Sequence, residues 1–240
     1  MESKPPEDLA PLLAKVEVLG PLSEHWALWL ARRTTQMRFE PGQIIYGPAY
    51  DGTIVFALLE GRVRLYKSVG GEELTLEMIE AGQLFGDVPA LAGRRPEVYA
   101  EALLPSRVVL LNSRVMNHLL RENPGVGRRL AERLADRLYE YQQRMADVAL
   151  KKVRARLASV LVRLFQTEGI VDREGVKIDT HYTHEQLATM IGSKRVAVSR
   201  AMGELREVGA VEVKGRLLYL KDEAALKRAA EEVGRHESYG

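Results

Sequence analysis

The sequence predicts an α+β protein: an N-terminal antiparallel β-roll, similar to a jelly roll, then a long helix and a helical domain with short hairpins. Turn signals recur about every 8–12 residues between 36 and 112, which is typical of a small antiparallel sandwich or barrel. A helical pattern then runs without interruption over 124–150. Two amphipathic helices meet near Gly192 and a hairpin follows. We therefore place a β-roll domain at 1–123, a long helix at 124–150 and a C-terminal domain at 151–240.

Composition and charge narrow the possible functions. The 240 residues, 46% of them hydrophobic and 28% charged, suit one or two globular domains. The formal net charge is only +2, but the segment from Lys151 to Arg216 holds 13 Lys and Arg against 8 Asp and Glu, an excess of 5 positive charges. This local excess weakly favours a polyanionic partner. The absence of cysteine excludes disulfides, cysteine-bound zinc and cysteine-bound iron–sulfur clusters.

Enzyme and membrane functions find little support in the sequence. The N-terminus lacks a basic segment followed by an apolar run, and no apolar run approaches about 18 residues. We therefore expect a cytoplasmic location without membrane contact. A cupin-like metalloenzyme, the main rival class, would need barrel histidines, and none occurs between Gln36 and Leu111. No P-loop, nucleophile elbow or zinc-protease motif occurs either, so we expect no catalytic residue, no metal site and no cofactor.

Individual elements of the β-roll follow from alternation and turns. Turn pairs fall at Pro41-Gly42, Asp51-Gly52, Glu60-Gly61, Gly70-Gly71 and Ala81-Gly82. In "GRVRLYKS" the apolar Val63 and Leu65 alternate with Arg62, Arg64 and Lys67, which predicts a strand with one solvated face. The segment 98–112 supplies the closing strands, and a short helix over 113–122 follows with Ser113 as its N-cap.

The long helix carries a heptad pattern. Pro124 suits its first turn. Two series of apolar residues, each spaced by seven, interleave at alternating steps of three and four. This is the a/d seam of a coiled coil, so we predict that the helix pairs with a second copy of the chain. The alternative is a helix packed on its own domain. The predicted seam residues are Ala131, Leu134, Leu138, Tyr141, Met145 and Val148.

Residues 183–220 predict a helix-turn-helix followed by a hairpin. The pattern from Thr183 to Gln186 is a capping box that begins a helix at about 184. Gly192 ends that helix, and Ser193 is predicted to cap the next one, which runs to about 208. The buried face of the second helix is predicted to contain Val198, Ala201, Met202, Leu205 and Val208. Two helices joined by a tight glycine turn form a helix-turn-helix.

The exposed start of the second helix is suited to double-stranded DNA. In DNA-binding helix-turn-helix motifs this end enters the major groove. Arg195 and Arg200 can each pair bidentately with guanine, which is worth about 1–3 kcal/mol of discrimination, and Val196 can pack on a thymine methyl group. The alternative is two packed helices with charged outer faces. The candidate DNA contacts are Thr183, His184, Ser193, Lys194, Arg195, Val196, Ser199, Arg200 and, on the hairpin, Lys214 and Arg216.

Four segments, "FEPGQIIYG", "LLEGRVRLYK", "AGQLFGDV" and "THEQLATMIGSKRVAVSRAMGELREVGAV", resemble the CRP/FNR superfamily of bacterial transcription regulators over about 7–221. The resemblance implies a homodimer that regulates transcription by placing two recognition helices on a two-fold symmetric site. It also implies contact with RNA polymerase. Val196 stands where many members carry Glu, which can accept a hydrogen bond from cytosine. We therefore expect a half-site that is altered at this base.

The resemblance is weakest at the effector pocket. In members that bind cyclic nucleotides, an Arg-Ser pair holds the cyclic phosphate, and here that pair aligns with Pro96-Glu97. A carboxylate repels phosphate and proline offers no amide donor, so we expect independence from cyclic AMP. The alternative is a cyclic-nucleotide-responsive regulator in which Arg94 and Arg95 compensate, and in which Asp87 accepts from the ribose. The candidate pocket comprises Gly86, Asp87, Val88, Arg94, Arg95, Pro96, Glu97 and, on the long helix, Tyr141 and Gln142.

Overall fold

The structure is a computed structural model that describes residues 5–233, so the outermost ends of the predicted domains, 1–4 and 234–240, lie outside the described residues. The chain forms two compact units, one ending at Leu138 and the other beginning at Tyr139, and one helix continues across this boundary. Its elements are, in order, α1 Pro6–Leu13, a 3-10 turn Glu17–Leu19, α2 Glu24–Ala31, β1 Thr35–Phe39, β2 Ile44–Tyr46, β3 Ile54–Glu60, β4 Arg62–Val69, β5 Glu72–Glu80, β6 Leu84–Phe85, α3 Asp87–Ala92, β7 Tyr99–Ala102, β8 Ser106–Asn112, α4 Ser113–Glu122, α5 Pro124–Leu150, α6 Val153–Glu168, β9 Gly169–Asp172, β10 Gly175–Ile178, α7 His184–Ile191, α8 Arg195–Glu207, β11 Val211–Lys214, β12 Leu217–Leu220 and α9 Glu223–Glu231.

The N-terminal unit is the predicted antiparallel β-roll. Two four-stranded sheets, in the orders β1-β8-β3-β6 and β2-β7-β4-β5, contribute apolar side chains to one shared core. Tyr46 and Phe85 stack on Phe56, with ring centroids 5.3 Å and 5.1 Å away. The turn from β3 to β4 requires glycine, because Gly61 has a φ of +93° and an added Cβ would lie 2.5 Å from the Pro105 carbonyl oxygen.

A second core lies on the other face of the first sheet, where α1, α2 and α4 pack. Leu13, Leu30 and Met116 are fully buried there. The start of α4 corrects one sequence prediction, because Asn112 and not Ser113 is its N-cap. The Asn112 side chain accepts a hydrogen bond from the Arg114 amide at 2.9 Å, while Ser113 is already helical.

Strand β4 also differs from the prediction, because its arginine face is not solvated. Arg62 lies 2.7 Å from Glu80 on β5, and Arg64 lies 2.6 Å from Glu101 on β7. In the sheet register each arginine stands opposite its glutamate on a neighbouring strand. Alternation in one strand cannot reveal these partners, which come from other strands and cover the arginine stems.

Helix α5 is tied to the β-roll at its N-terminal half by apolar and ionic contacts. Arg137 is 7% exposed and donates from Nη1 to both carboxylate oxygens of Asp87, at 3.0 Å and 2.9 Å. Its Nη2 lies 2.9 Å from Glu77, which Arg133 also contacts at 3.2 Å. Buried charges are tolerated when they are paired in this way, so the cluster fixes α5 against β5 and α3.

The C-terminal unit has its own core. Helix α6 buries Leu157, Leu161 and Leu164, and packs against α8 and α9. The two predicted hairpins join in one antiparallel sheet of order β11-β12-β10-β9. Within residues 5–233, none of the helices combines the length and apolar character needed to cross a bilayer.

Replacement of Arg137 by Met tests the buried ion cluster. The change leaves Asp87 buried without its cation, and we expect the free energy of unfolding to fall by about 3–5 kcal/mol. Urea denaturation followed by circular dichroism measures this loss. Arg129→Met is the matched control, because Arg129 is exposed in its pair with Glu132 and its loss costs about 0–1 kcal/mol. Equal losses in the two variants would contradict the proposed role of the cluster.

Candidate nucleic-acid interface

The first helix of the predicted helix-turn-helix begins and ends as its local sequence dictates. The Thr183 hydroxyl accepts a hydrogen bond from the Gln186 amide at 3.1 Å, and the Gln186 side chain accepts from the Thr183 amide at 2.9 Å. This reciprocal capping box confirms the predicted start of α7. Gly192 ends α7 in the left-handed conformation, with a φ of 59°.

The start of α8 differs from the prediction by one residue. Lys194 and not Ser193 occupies the N-cap position, and no side chain caps the helix. The Ser193 amide instead donates to the Ala188 carbonyl at 2.9 Å, which makes Ser193 part of the turn that closes α7. The first backbone N–H groups of α8 therefore receive no hydrogen bond from the side chain of the N-cap residue. Helix N-termini of this kind favour the binding of phosphate.

Burial separates the two faces of α8. Val198, Ala201, Met202 and Leu205 are buried in the C-terminal unit, as predicted. Val208 is 52% exposed, so its predicted burial was wrong, because it follows the last helical turn as the C-cap. On the opposite face Arg195 is exposed, Val196 is 78% exposed and the Arg200 side chain is 85% exposed. The residues suited to base contact thus remain accessible.

Two predicted DNA contacts bond to each other. The His184 imidazole Nδ1 lies 2.7 Å from the Ser199 hydroxyl, which joins the start of α7 to the middle of α8. Arg200 pairs with Glu204 at 3.3 Å along α8, but an exposed pair of this kind contributes little and is easily exchanged. His184 and Ser199 therefore hold the two helices together, in addition to any contact they make with DNA.

The hairpin β11–β12 forms the predicted wing around Gly215 and Arg216. Arg216 is exposed and has no ion-pair partner in the part of the chain that the structure describes. Lys214 instead hydrogen-bonds Glu174, which raises the pKa of Lys214 and satisfies part of its charge. Arg216 is therefore the more available cation for a DNA phosphate.

The structure brings several of the predicted contacts together. One cavity of about 430 Å³ is bounded by the start of α7, the start of α8 and the tip of the wing. The predicted residues that line it are Thr183, His184, Arg195 and Arg216. Side chains 33 positions apart in the sequence, from Thr183 to Arg216, thus face one surface. Ser193, Lys194, Val196, Ser199 and Arg200 lie on the adjoining turn and on the first half of α8.

The candidate effector residues in the β-roll are already engaged or turned outward. Asp87, at the start of α3 after Gly86, is held by Arg137 and is not a free acceptor. Glu97 accepts a hydrogen bond from Lys67 at 2.9 Å, which lowers the pKa of Glu97. Pro96 is buried, whereas Val88, Arg94 and Arg95 are exposed. Tyr141 and Gln142 are exposed residues of α5.

The predicted seam forms an apolar row on α5 that is largely uncovered. Leu138, Met145 and Val148 are 59%, 71% and 54% exposed. Tyr141 and Ala131 are also exposed, while Leu134 packs partly on the core of its own unit. Contiguous exposed apolar surface of this kind is typical of an interaction site.

The sequence reasoning missed Glu77, Arg133 and Arg137. Arg133 and Arg137 are four residues apart and share a helix face, which was the one available signal. Their acidic partners Glu77 and Asp87 lie 56 and 50 residues away. That separation hides the pairing from any local pattern.

A two-sheet β-roll, a long helix with an apolar row and a winged helix-turn-helix with exposed arginines define a DNA-binding transcription regulator. Comparison with known proteins supports this class. Residues 155–229 match the Crp-like helix-turn-helix domain, and residues 36–123 match the cyclic nucleotide-binding domain. The chain belongs to the CRP/FNR family of transcription regulators.

Individual relatives resemble the chain over most of its length. The transcriptional regulator SdrP of Thermus thermophilus is 31% identical over 207 residues, or 83% of this chain and 98% of that protein. The global nitrogen regulator of Synechococcus elongatus is 31% identical over 175 residues, or 71% of this chain and 78% of that protein. The structure of a CooA mutant from Carboxydothermus hydrogenoformans is 26% identical, with a TM-score of 0.74 over 83% of this chain and 88% of that one.

Replacement of Arg195 or Arg200 by Gln tests the recognition face. A binding-site selection with the wild-type chain first supplies a DNA duplex. Each substitution should then weaken binding to it by about 10- to 100-fold, because each removes a bidentate base contact worth about 1–3 kcal/mol. Gel-shift titration measures the affinity. Arg228→Gln on α9 is the matched control, because Arg228 is an exposed arginine of the same unit outside this face. Unchanged binding by both recognition variants would assign the base contacts elsewhere.

Proposed function

We propose that the protein acts as a homodimer on two-fold symmetric promoter sites and regulates transcription without cyclic AMP. The observation that carries the proposal is the exposure of Arg195, Val196 and Arg200 on one face of α8, whose opposite face is buried in the C-terminal unit. We infer that such a regulator acts in the cytoplasm, contacts RNA polymerase at the promoter and catalyses no reaction.

The exposed row on α5 supports self-association. The six seam residues recur at the alternating 3-4 spacing of a coiled-coil seam. Because the pairing is between identical helices, the contact is two-fold symmetric. Two recognition helices related by that axis would meet half-sites of opposite orientation about one turn of DNA apart. The symmetry of the operator would then follow from the symmetry of α5.

Independence from cyclic AMP is supported by the charges of the β-roll. Asp87 would have to release Arg137 to accept from a ribose, and breaking a buried pair is costly. Glu97 adds a negative charge where the phosphate would lie by resemblance. The second candidate, a cyclic-nucleotide-responsive regulator, is favoured by the exposed Arg94 and Arg95, which are free to approach a phosphate if the loop shifts.

Substitution of Leu138 or Met145 by Arg tests the dimer. Each change places a charge in the seam of both chains, and the mass measured by sedimentation should fall from that of two chains to that of one. Affinity for the selected two-fold site should fall at least about 100-fold, because the second half-site contact becomes bimolecular. Asp136→Arg is the matched control, since heptad position f faces away from the seam. A dimeric Leu138→Arg variant would refute the seam.

Titration with cyclic AMP tests effector independence. We expect no saturable heat in calorimetry with the full-length dimer. We also expect the affinity for the selected site to change by less than about twofold when cyclic AMP is present, since a ligand that does not bind cannot shift an equilibrium. Binding in the micromolar range at one molecule per chain would establish the second candidate instead.

A further inference from the structure

The C-terminal unit contains a cavity that none of the candidate DNA contacts lines. It has a volume of about 420 Å³ and lies between the last part of α5 and α6, with Met190 and Ile191 of α7 at its edge. Small-molecule sites commonly enclose about 300–1,000 Å³. Four of the candidate DNA contacts line a different cavity, and none of them lines this one.

Three arginines line the cavity: Arg144 of α5, and Arg156 and Arg163 of α6. Arg156 and Arg163 are seven residues apart, so both face the same side of α6. Within residues 5–233 neither guanidinium has an ion pair or a hydrogen-bond acceptor, and the Arg156 Nε is completely buried. Burial, together with the nearby Arg144, lowers the pKa of Arg163 to about 10.

Two carboxylates also line the cavity, but each already has a partner. Glu140 lies 4.0 Å from Arg144, and Asp147 lies 2.7 Å from Lys151. Arg156 and Arg163 therefore form no ion pair within the described residues, although the charges of Glu140 and Asp147 act on Arg163 from a distance. Both residues are partly buried. A partly buried cation without an ion pair is unfavourable, so a bound anion would gain more here than at an exposed arginine.

We propose that this cavity binds a small organic phosphate monoester. Such a group carries a charge of about −1.5 to −2 at neutral pH, which matches the two unpaired guanidinium groups. Arginine forks bind phosphate oxygens bidentately. Val160 and Val162 form an apolar wall that suits the organic part of the ligand. Because α5 and α7 both border the site, a ligand would contact the long helix and the DNA-binding motif together.

The test uses the full-length chain without DNA and three probes: inorganic phosphate, AMP and adenosine. Calorimetry should show saturable binding of AMP and weaker binding of phosphate, with none for adenosine. Arg156→Gln and Arg163→Gln should each weaken AMP binding by at least about tenfold, because each removes a charge-assisted contact. Arg173→Gln, an exposed arginine of the same unit, should bind AMP as the wild type does.

Thermal unfolding gives a readout that does not depend on calorimetry. AMP should raise the melting temperature of the wild type and of Arg173→Gln, but not that of Arg156→Gln or Arg163→Gln. Without AMP, the two cavity variants should melt no lower than the wild type, since they lose an unpaired charge. This outcome would show that their loss of binding is not a loss of folding.

Three results would overturn the proposal: saturable binding of neither phosphate nor AMP, AMP binding that survives in both cavity variants, or weaker DNA binding by Arg156→Gln in a chain that binds neither probe. The last would assign the arginines to the DNA backbone. Gel shifts of the wild type without AMP report on the regulator function alone. Failure of this site and failure of the proposed function are therefore distinguishable.

Discussion

The architecture of the N-terminal unit depends on the buried ion pairs of Arg137. Its guanidinium is buried with Asp87 and Glu77, and a buried charge is tolerated only while its partners stay in place. The three residues come from α5, α3 and β5, so they fix the position of the long helix on the sheet. The same contacts engage Asp87, which is a residue of the candidate effector pocket. One ion cluster thus positions the long helix and occupies one candidate effector residue.

Helix α5 has one face that packs on the β-roll and another face whose apolar residues are exposed. Val126, Leu130 and Arg137 are buried inside the N-terminal unit. The seam residues Leu138 and Met145 remain 59% and 71% exposed among the described residues. A helix that only supported the β-roll would need no apolar residues on its outer side, where they cost solubility. The heptad therefore accounts for residues that the fold of one chain leaves unexplained.

Local rules predicted the elements whose causes are local. The capping box at Thr183, the left-handed Gly192 and the hairpin around Gly215 each depend on a few neighbouring residues, and the sequence was sufficient for them. The pairs Arg64–Glu101 and Arg137–Asp87 span 37 and 50 residues, and they depend on strand register and helix docking. Alternation therefore placed Arg62 and Arg64 on a solvated face, although neighbouring strands cover both.

Charged side chains without an ion-pair partner indicate where a ligand can bind and act on such a regulator. A ligand shifts a conformational equilibrium only by its differential affinity for the two states. At Asp87 a nucleotide must first displace Arg137, so much of its interaction energy is offset. At Arg156 and Arg163 no ion pair within residues 5–233 has to break, so less of the interaction energy of an anion is offset. The electrostatics of this chain therefore favour the cavity beside α7 over Asp87 as the site of a regulatory ligand. Helix α7 borders that cavity and also carries the candidate DNA contact His184.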